Sequence, residues 1–138
     1  MRAWELSDEL ASLVFDITLR LPGQHRWLAN QMCRAAVSVP ANIAEGYGRG
    51  SIGDYLRFLD IARGSLSELE YYIHFTAKKH LIGVDEQSEA QRLRDETSRV
   101  LFGLWQSLKA RAPATWDHSG DTHRIVVERG IDEVEERL

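Results

Sequence analysis

Cysteine is nearly absent from these 138 residues: Cys33 stands alone, which excludes an internal disulfide and a Cys-based zinc site. Three prolines and ten glycines are too few for a fibrous or low-complexity chain. No apolar run approaches the roughly 18–20 residues that a membrane span needs, so no membrane contact is expected. The opening Met1-Arg2-Ala3-Trp4-Glu5 has neither the apolar stretch nor the cleavage site of a secretory signal, and a cytoplasmic protein is expected. Basic charge is not in excess either. Seventeen Lys and Arg face 21 Asp and Glu, a net charge of −4, which excludes a whole-protein electrostatic footprint for nucleic acid.

What is present suits one packed domain. Hydrophobic residues make up 43% and charged residues 28%, so a core can form and global disorder is excluded. The charge is unevenly spread. Residues 1–19 hold one base and four acids, residues 20–80 eight bases and five acids, and residues 113–138 three bases and seven acids. A basic middle lies between acidic ends.

Helical periodicity runs through the first 112 residues, without strand alternation. Leu6, Leu10, Leu13, Val14, Ile17 and Leu21 form one stripe that stops at Pro22-Gly23. Leu28, Met32, Ala35, Ala36, Val39, Ile43 and Ala44 form a second, interrupted by Pro40, which removes a donor and crowds the carbonyl of Ala36. One helix kinked at Pro40 is expected, closing in Gly46-Tyr47-Gly48-Arg49-Gly50 with glycine in a left-handed cap. Ser51, with Asp54 three residues on, starts a third helix with the stripe Tyr55, Phe58, Leu59, Ala62, Leu66, Leu69, Ile73 and Ala77, running to about His80. Asp85 is read as the cap of a fourth, with Ala90, Leu93, Thr97, Leu101, Leu104, Trp105 and Leu108 inward. The pattern predicts an all-α, antiparallel up-down-up-down four-helix bundle over residues 1–112. Residues 113–138 read as a short, irregular, acidic tail or arm, with Ile125-Val126-Val127 apolar and Ile131, Val134 and Leu138 spaced for one helical face.

At about 100° per residue, Ile61, Gly64, Tyr71, Tyr72 and Phe75 fall roughly opposite the core stripe of the third helix, and Val100 and Phe102 flank that of the fourth. Several aromatics on one outer face suggest a second buried surface, so Ile61, Tyr71, Tyr72, Phe75 and Phe102 are candidates for a subunit interface.

Two stretches are distinctive: Gln31-Met32-Cys33-Arg34-Ala35-Ala36-Val37-Ser38-Val39-Pro40-Ala41-Asn42-Ile43-Ala44-Glu45-Gly46 and Phe58-Leu59-Asp60-Ile61-Ala62-Arg63-Gly64-Ser65-Leu66-Ser67-Glu68-Leu69. With Leu21-Pro22 upstream, they resemble the four-helix-bundle proteins of the 23S rRNA intervening-sequence family, over about residues 3–112. A related bundle is the accessory protein of diversity-generating retroelements, which works with a reverse transcriptase. The resemblance implies a bacterial four-helix bundle, a ring of five subunits and nucleic-acid binding.

The residues of these stretches also have a physical reading. Ser38 or Asn42 is placed to hydrogen-bond the turn that Pro40 opens. Arg34, if buried, needs a carboxylate such as Glu45 or Glu68, and Gly64 and Ser65 are small enough for close helix approach. With Pro40, Asn42, Glu45 and Gly46, they are expected to fix register rather than bind a ligand.

Chemical sites fare worse. A di-iron bundle needs paired Glu-x-x-His, whereas Glu70 and His74 are four apart and suit a solvated contact. Asp117, His118, Asp121 and His123 read as an ordinary polar loop. Gly46-x-Gly48-x-Gly50 lacks the strand and the Lys-Ser/Thr of a phosphate cradle. Arg20 and His25 faintly resemble the Arg…His pair of helical-bundle ribonucleases. Cys33 reads as a small core residue.

The expectation is therefore a non-enzymatic homo-oligomeric scaffold or adaptor without metal or cofactor. It binds structured RNA or DNA weakly through repeated patches of Arg49, Arg57, Arg63, Lys78 and Lys79, beside a nucleic-acid enzyme in one version. The alternative is a protein-binding scaffold that uses the aromatic outer face and the acidic tail.

Overall fold

Four helices account for nearly all of the computed structural model, which describes residues 1–112: α1 Arg2–Leu19, α2 Arg26–Tyr47, α3 Ile52–Lys78 and α4 Val84–Arg111, with a 3-10 turn at Gly23–His25 before α2. The expected tail falls outside the described residues. Each helix packs antiparallel on the next, and α4 returns to α1, so the bundle closes as a ring of neighbours. Leu10, Val14, Leu28, Val39, Ile43, Leu59, Leu66, Leu101 and Leu104 are at most 1% exposed and form its centre. The expected stripes supply most of this core, with Leu13, Leu21, Phe58, Ala77 and Trp105 half-buried at its edge, while Ala44 is exposed. Ile52 and Leu56, outside the expected stripe, are buried as well. Buried hydroxyls are satisfied within their own helices: Thr76 donates to the Tyr72 carbonyl at 2.8 Å and Thr97 to that of Leu93 at 2.7 Å.

Pro40 does not divide α2, which passes through it as one helix, as expected. The side-chain amide of Asn42 donates to the Ser38 carbonyl at 2.7 Å and to Ser38 Oγ at 3.0 Å, so both residues serve the turn around the proline. Ser38 Oγ lies 2.8 Å from Ser65 Oγ, a direct link from α2 to α3.

Close approach of the helices falls at Gly46, not at Gly64. Gly46 is helical, not a left-handed cap: a Cβ there would stand 2.9 Å from Phe58 Cβ and 3.3 Å from the Tyr55 carbonyl. It is the point of close approach between α2 and α3. A Cβ at Gly64 would meet nothing within 4 Å, so close packing inside this chain does not require glycine there. The left-handed glycine of the α2–α3 turn is Gly50, at φ 77°.

Ser51 Oγ accepts the Asp54 amide at 3.2 Å, as its pattern suggested. α3 stops two residues earlier than expected. His80 takes φ 58°, its amide bonds the Ala77 carbonyl at 3.0 Å, and Leu81 N–H bonds that of Thr76 at 2.9 Å. This is a Schellman closure with histidine where glycine is usual. A left-handed non-glycine costs roughly 1–2 kcal/mol, partly offset by glycine's freer unfolded chain. His80→Gly is therefore expected to stabilise by about 0.5–1 kcal/mol, read as a higher Tm.

The N-cap of α4 is Gly83, not Asp85, and Glu86 reaches back to accept the Gly83 amide at 3.3 Å. Glu86 also pairs with Arg20, and Arg2 pairs with Glu96 at 2.6 Å, so two ion pairs span the α1–α4 seam. The Arg20 guanidinium, then the Gly83 amide, hold the Glu86 carboxyl below its usual value. A carboxylate whose folded pKa is lowered stabilises above its unfolded pKa and loses that contribution as pH falls through the folded one. Glu86→Gln should lower stability by about 0.5–1 kcal/mol at pH 7, given its partial exposure. The difference between the two proteins should vanish once acid has protonated Glu86, as paired melts between pH 7 and pH 2.5 would show.

Candidate nucleic-acid interface

α2 and α3 lie side by side, and their shared outer surface carries the features with chemical character. At one end, Phe58 is flanked by two guanidiniums, Arg49 at 5.0 Å and Arg57 at 5.1 Å from the ring centroid. Arg49 is also bonded to Glu45 at 2.6 Å, and Arg57 lies 3.6 Å from Asp54. All four side chains keep a solvent-facing side, so these pairs can exchange partners with an incoming anion at little loss.

Seventeen residues along α3, about 25 Å at 1.5 Å per residue, a second aromatic group stands at the other end. Phe75 meets Trp27 edge-on at 6.5 Å and Tyr71 at 6.0 Å, and Tyr71 meets Tyr72 at 6.2 Å. Lys79 lies 5.8 Å from the Phe75 centroid. Trp27 and Tyr71 are each 58% exposed, whereas Tyr72 and Phe75 lean against the core. The expectation that all these rings stand opposite the core therefore fails for Tyr72 and Phe75, which turn toward α2. Tyr72 donates to Glu68 at 3.1 Å, and burial followed by that carboxylate raises its pKa, so the phenol remains a donor.

Between the two ends runs an open groove of about 650 Å³ floored by small and polar residues, among them Gln31, Arg34, Ser38, Ala41, Ser65 and Glu68. Arg34 is exposed and makes no ion pair among the described residues. The expected pairing with Glu45 or Glu68 is absent because those carboxylates turn to Arg49 and Tyr72. Arg34 is a free cation at the centre of the groove rather than a buried register pin.

The five cations expected to form one patch divide into three places. Arg49 and Arg57 hold one end and Lys79 the other, with Lys78 exposed beside it. Arg63 turns toward α4, where it covers Phe102 at 5.1 Å and Trp105 at 4.8 Å. Trp27 was not among the expected residues. Its signal lies in the antiparallel register, since Ser38 opposite Ser65 places residue 27 near residue 75.

A further surface escaped the sequence reading. Trp4 (39% exposed), Phe15 (51%), Leu19 (67%), Val37 (52%) and Tyr47 (45%) follow the α1–α2 boundary, where Met1, Trp4, Ala44 and Tyr47 line a shallow apolar cleft. Of the expected interface residues, Ile61, Tyr71 and Phe102 are exposed as well.

Other chemical readings find no geometry. Arg20 is held by Glu86, while His25 Nε2 lies 3.3 Å from the Gln24 amide, so the Arg…His pair is not assembled. Glu70 reaches Arg94 at 3.4 Å instead of His74. Cys33 Sγ sits 3.0 Å from Thr18 Oγ1, half-buried. Among the described residues no three His, Cys, Asp or Glu converge on a metal site, and no helix is long and apolar enough to cross a membrane. Asp117, His118, Asp121 and His123 lie outside the described residues.

An antiparallel four-helix bundle whose distinctive residues gather on one groove between two of its helices defines the class. Within it, the chain belongs to the 23S rRNA-intervening sequence protein family, whose model matches residues 1–103. Its fold is similar to that of a crystal structure from Bacteroides thetaiotaomicron, a protein of unknown function from the S23 ribosomal protein family. The TM-score is 0.71 at 21% identity, covering 75% of this chain and 98% of the other. No protein of curated function matches.

Proposed function

We propose that the protein is a non-enzymatic scaffold that assembles with copies of itself and holds RNA on the α2–α3 face. The observation that carries this is the pairing of cations with aromatic rings at both ends of one groove: Arg49 and Arg57 on Phe58, and Lys79 on Phe75 beside exposed Trp27 and Tyr71. Stacking platforms beside mobile cations are what single-stranded nucleic acid uses, because every base offers a π-face. Arg34 supplies a charge between them. The family's description ties its members to an insertion in 23S ribosomal RNA, which makes RNA the natural polyanion. One bundle offers few cations, so repetition around an oligomer supplies the avidity, and five copies is the number the family resemblance implies. A nucleic-acid enzyme acting on the same strand is a fitting neighbour.

Salt-titrated binding to structured and single-stranded RNA tests this, with solution mass measured in parallel. Binding should weaken linearly in log affinity against log salt. No detectable binding by the assembled protein at low salt would remove the reading, and a monomer at micromolar concentration would remove the scaffold. The exposed Phe15, Leu19 and Val37 favour a second reading, a protein-binding scaffold, since nucleic acid makes little use of aliphatic side chains. Recovery of one stoichiometric protein partner from nuclease-treated extract, with no RNA affinity, would favour it.

A further inference from the structure

A second cleft, of about 450 Å³, opens on the other side of α3, against the first half of α4. Glu70, Tyr71 and His74 line it from α3, and Gln87 and Gln91, one turn apart, face them from α4. Its chemistry differs from that of the α2–α3 groove, because no lysine or arginine is among its lining residues. Arg94, which reaches Glu70 Oε2 at 3.4 Å, is already engaged: its Nε and Nη2 donate to Asp95 at 3.0 and 2.8 Å. Glu70 is half exposed, and its Oε1 has no partner among the described residues. The Gln91 amide donates to Asp95 at 2.7 Å, which leaves its carbonyl as an acceptor, and Gln87 makes no hydrogen bond among the described residues. A phosphate finds nothing to pair with in such a place. A flat, neutral group that brings hydrogen-bond donors fits, and the edge of an unstacked nucleobase is such a group.

The bases differ in what they give a carboxylate. Guanine presents two adjacent donors, N1–H and the N2 amino group, beside the O6 acceptor. Adenine and cytosine set a ring acceptor beside their one amino group, and uracil sets its N–H between two carbonyls. Facing any of these three, a carboxylate opposes one of its oxygens to an acceptor; facing guanine, it accepts both donors. The Gln87 amide can then donate to O6, and the Tyr71 ring supplies the stacking surface. A strand reaches this cleft without leaving aromatic surface. Trp27, Phe75, Tyr71 and His74 follow one another at 6.5, 6.0 and 6.4 Å from the α2–α3 groove round the outer side of α3. Lys78, exposed on α3 one turn beyond His74, supplies a charge for that nucleotide's phosphate.

We propose that the α3–α4 cleft is a guanine-selective base pocket, with Glu70 accepting N1–H and the N2 amino group, Gln87 donating to O6 and Tyr71 stacking on the base. The pocket deepens the RNA reading, and the route of the strand rests on that reading. The pocket itself is probed with a free nucleoside, so its failure and the failure of the RNA reading are separate results.

Saturation-transfer difference NMR on the full chain, with guanosine, inosine and adenosine, tests the pocket alone. Guanosine, which carries no phosphate, is expected to receive the strongest transfer. Inosine, which lacks the 2-amino group, should receive less, and Glu70→Gln should abolish the difference between guanosine and adenosine. The strand is tested with labelled single-stranded RNAs that differ in one central base. Guanine there should bind about 10-fold tighter than adenine, and the ratio should fall to about one in Glu70→Gln. Arg49→Glu combined with Arg57→Glu should weaken binding of both RNAs and leave the ratio as it was. Glu70 is half exposed, so an unchanged Tm should show that Glu70→Gln keeps the fold. Equal transfer to guanosine and adenosine overturns the proposal, as does a guanine preference that survives Glu70→Gln. Stronger transfer to acetyl-arginine amide would make a peptide the occupant and overturns it too. Guanosine selectivity without RNA affinity would remove the RNA reading and leave the pocket. RNA binding without guanine preference would remove the pocket and leave the RNA reading.

Discussion

Arg49→Glu combined with Arg57→Glu is expected to lower RNA affinity by about 100-fold at low salt. The two guanidiniums share one ring, Phe58, and their carboxylate partners Glu45 and Asp54 are exposed enough to release them. A charge-assisted contact is worth roughly 1.5–3 kcal/mol, so losing two at the lower figure gives about 3 kcal/mol, or two decades in affinity. The slope of log affinity against log salt should also fall by about two. Arg92→Glu combined with Arg99→Glu, an equal charge change on the exposed side of α4, should leave binding nearly unchanged. If both variants weaken binding alike, attraction is diffuse and the groove has no special part. Both arginines are exposed, so melting temperatures should move little, which separates loss of binding from loss of fold.

Gly46→Val should destabilise the bundle by about 2–3 kcal/mol and lower the Tm by about 10 °C or more. Helix propensity alone argues the opposite, because glycine inside a helix is about 1 kcal/mol worse than alanine. The contact decides the sign. A Cβ at this position falls 2.9 Å from Phe58 Cβ and 3.3 Å from a backbone oxygen, neither of which is the free end of a flexible side chain. α2 and α3 must part, and the Ser38–Ser65 contact further along the same boundary loosens with them. Gly64→Ala is the natural control, since its Cβ would project into open space. It should stabilise an isolated bundle by about 0.5–1 kcal/mol. A loss of stability in Gly64→Ala accompanied by a fall in solution mass would place a neighbouring copy against that turn of α3.

The fold was legible because each helix advertises itself by one apolar stripe, and periodicity reports what a helix buries against its neighbours. Pro40 was legible for the same reason: apolar spacing continues across it, and Asn42 and Ser38 stand where the proline turn needs polar partners. What periodicity does not carry is which neighbour a flank residue meets. Gly46 and Gly64 look alike in a one-dimensional pattern, and only the antiparallel register puts Phe58 over the first and solvent over the second. Arg34 needs a carboxylate only if its largely apolar helix buries it, and its angular position turns it outward. The cations on α3 were grouped by sequence proximity, while a helix sends Arg57, Arg63 and Lys79 to different faces and different ends. The apolar strip along α1 and α2 was missed because Phe15 and Leu19 lie beside a core stripe and read as its margin.

The seam between α1 and α4 has a consequence for how the chain folds. Every other helix boundary joins sequence neighbours across a short turn, so those contacts form at small loop entropy and favour rapid folding. Arg2–Glu96 and Arg20–Glu86 join residues 94 and 66 positions apart, the most distant contacts of the ring. A bundle that zips helix by helix closes this seam last. Changes at Glu86 and Glu96 would then accelerate unfolding while leaving the refolding rate nearly untouched, and the seam becomes the gate whose opening sets the lifetime of the native bundle.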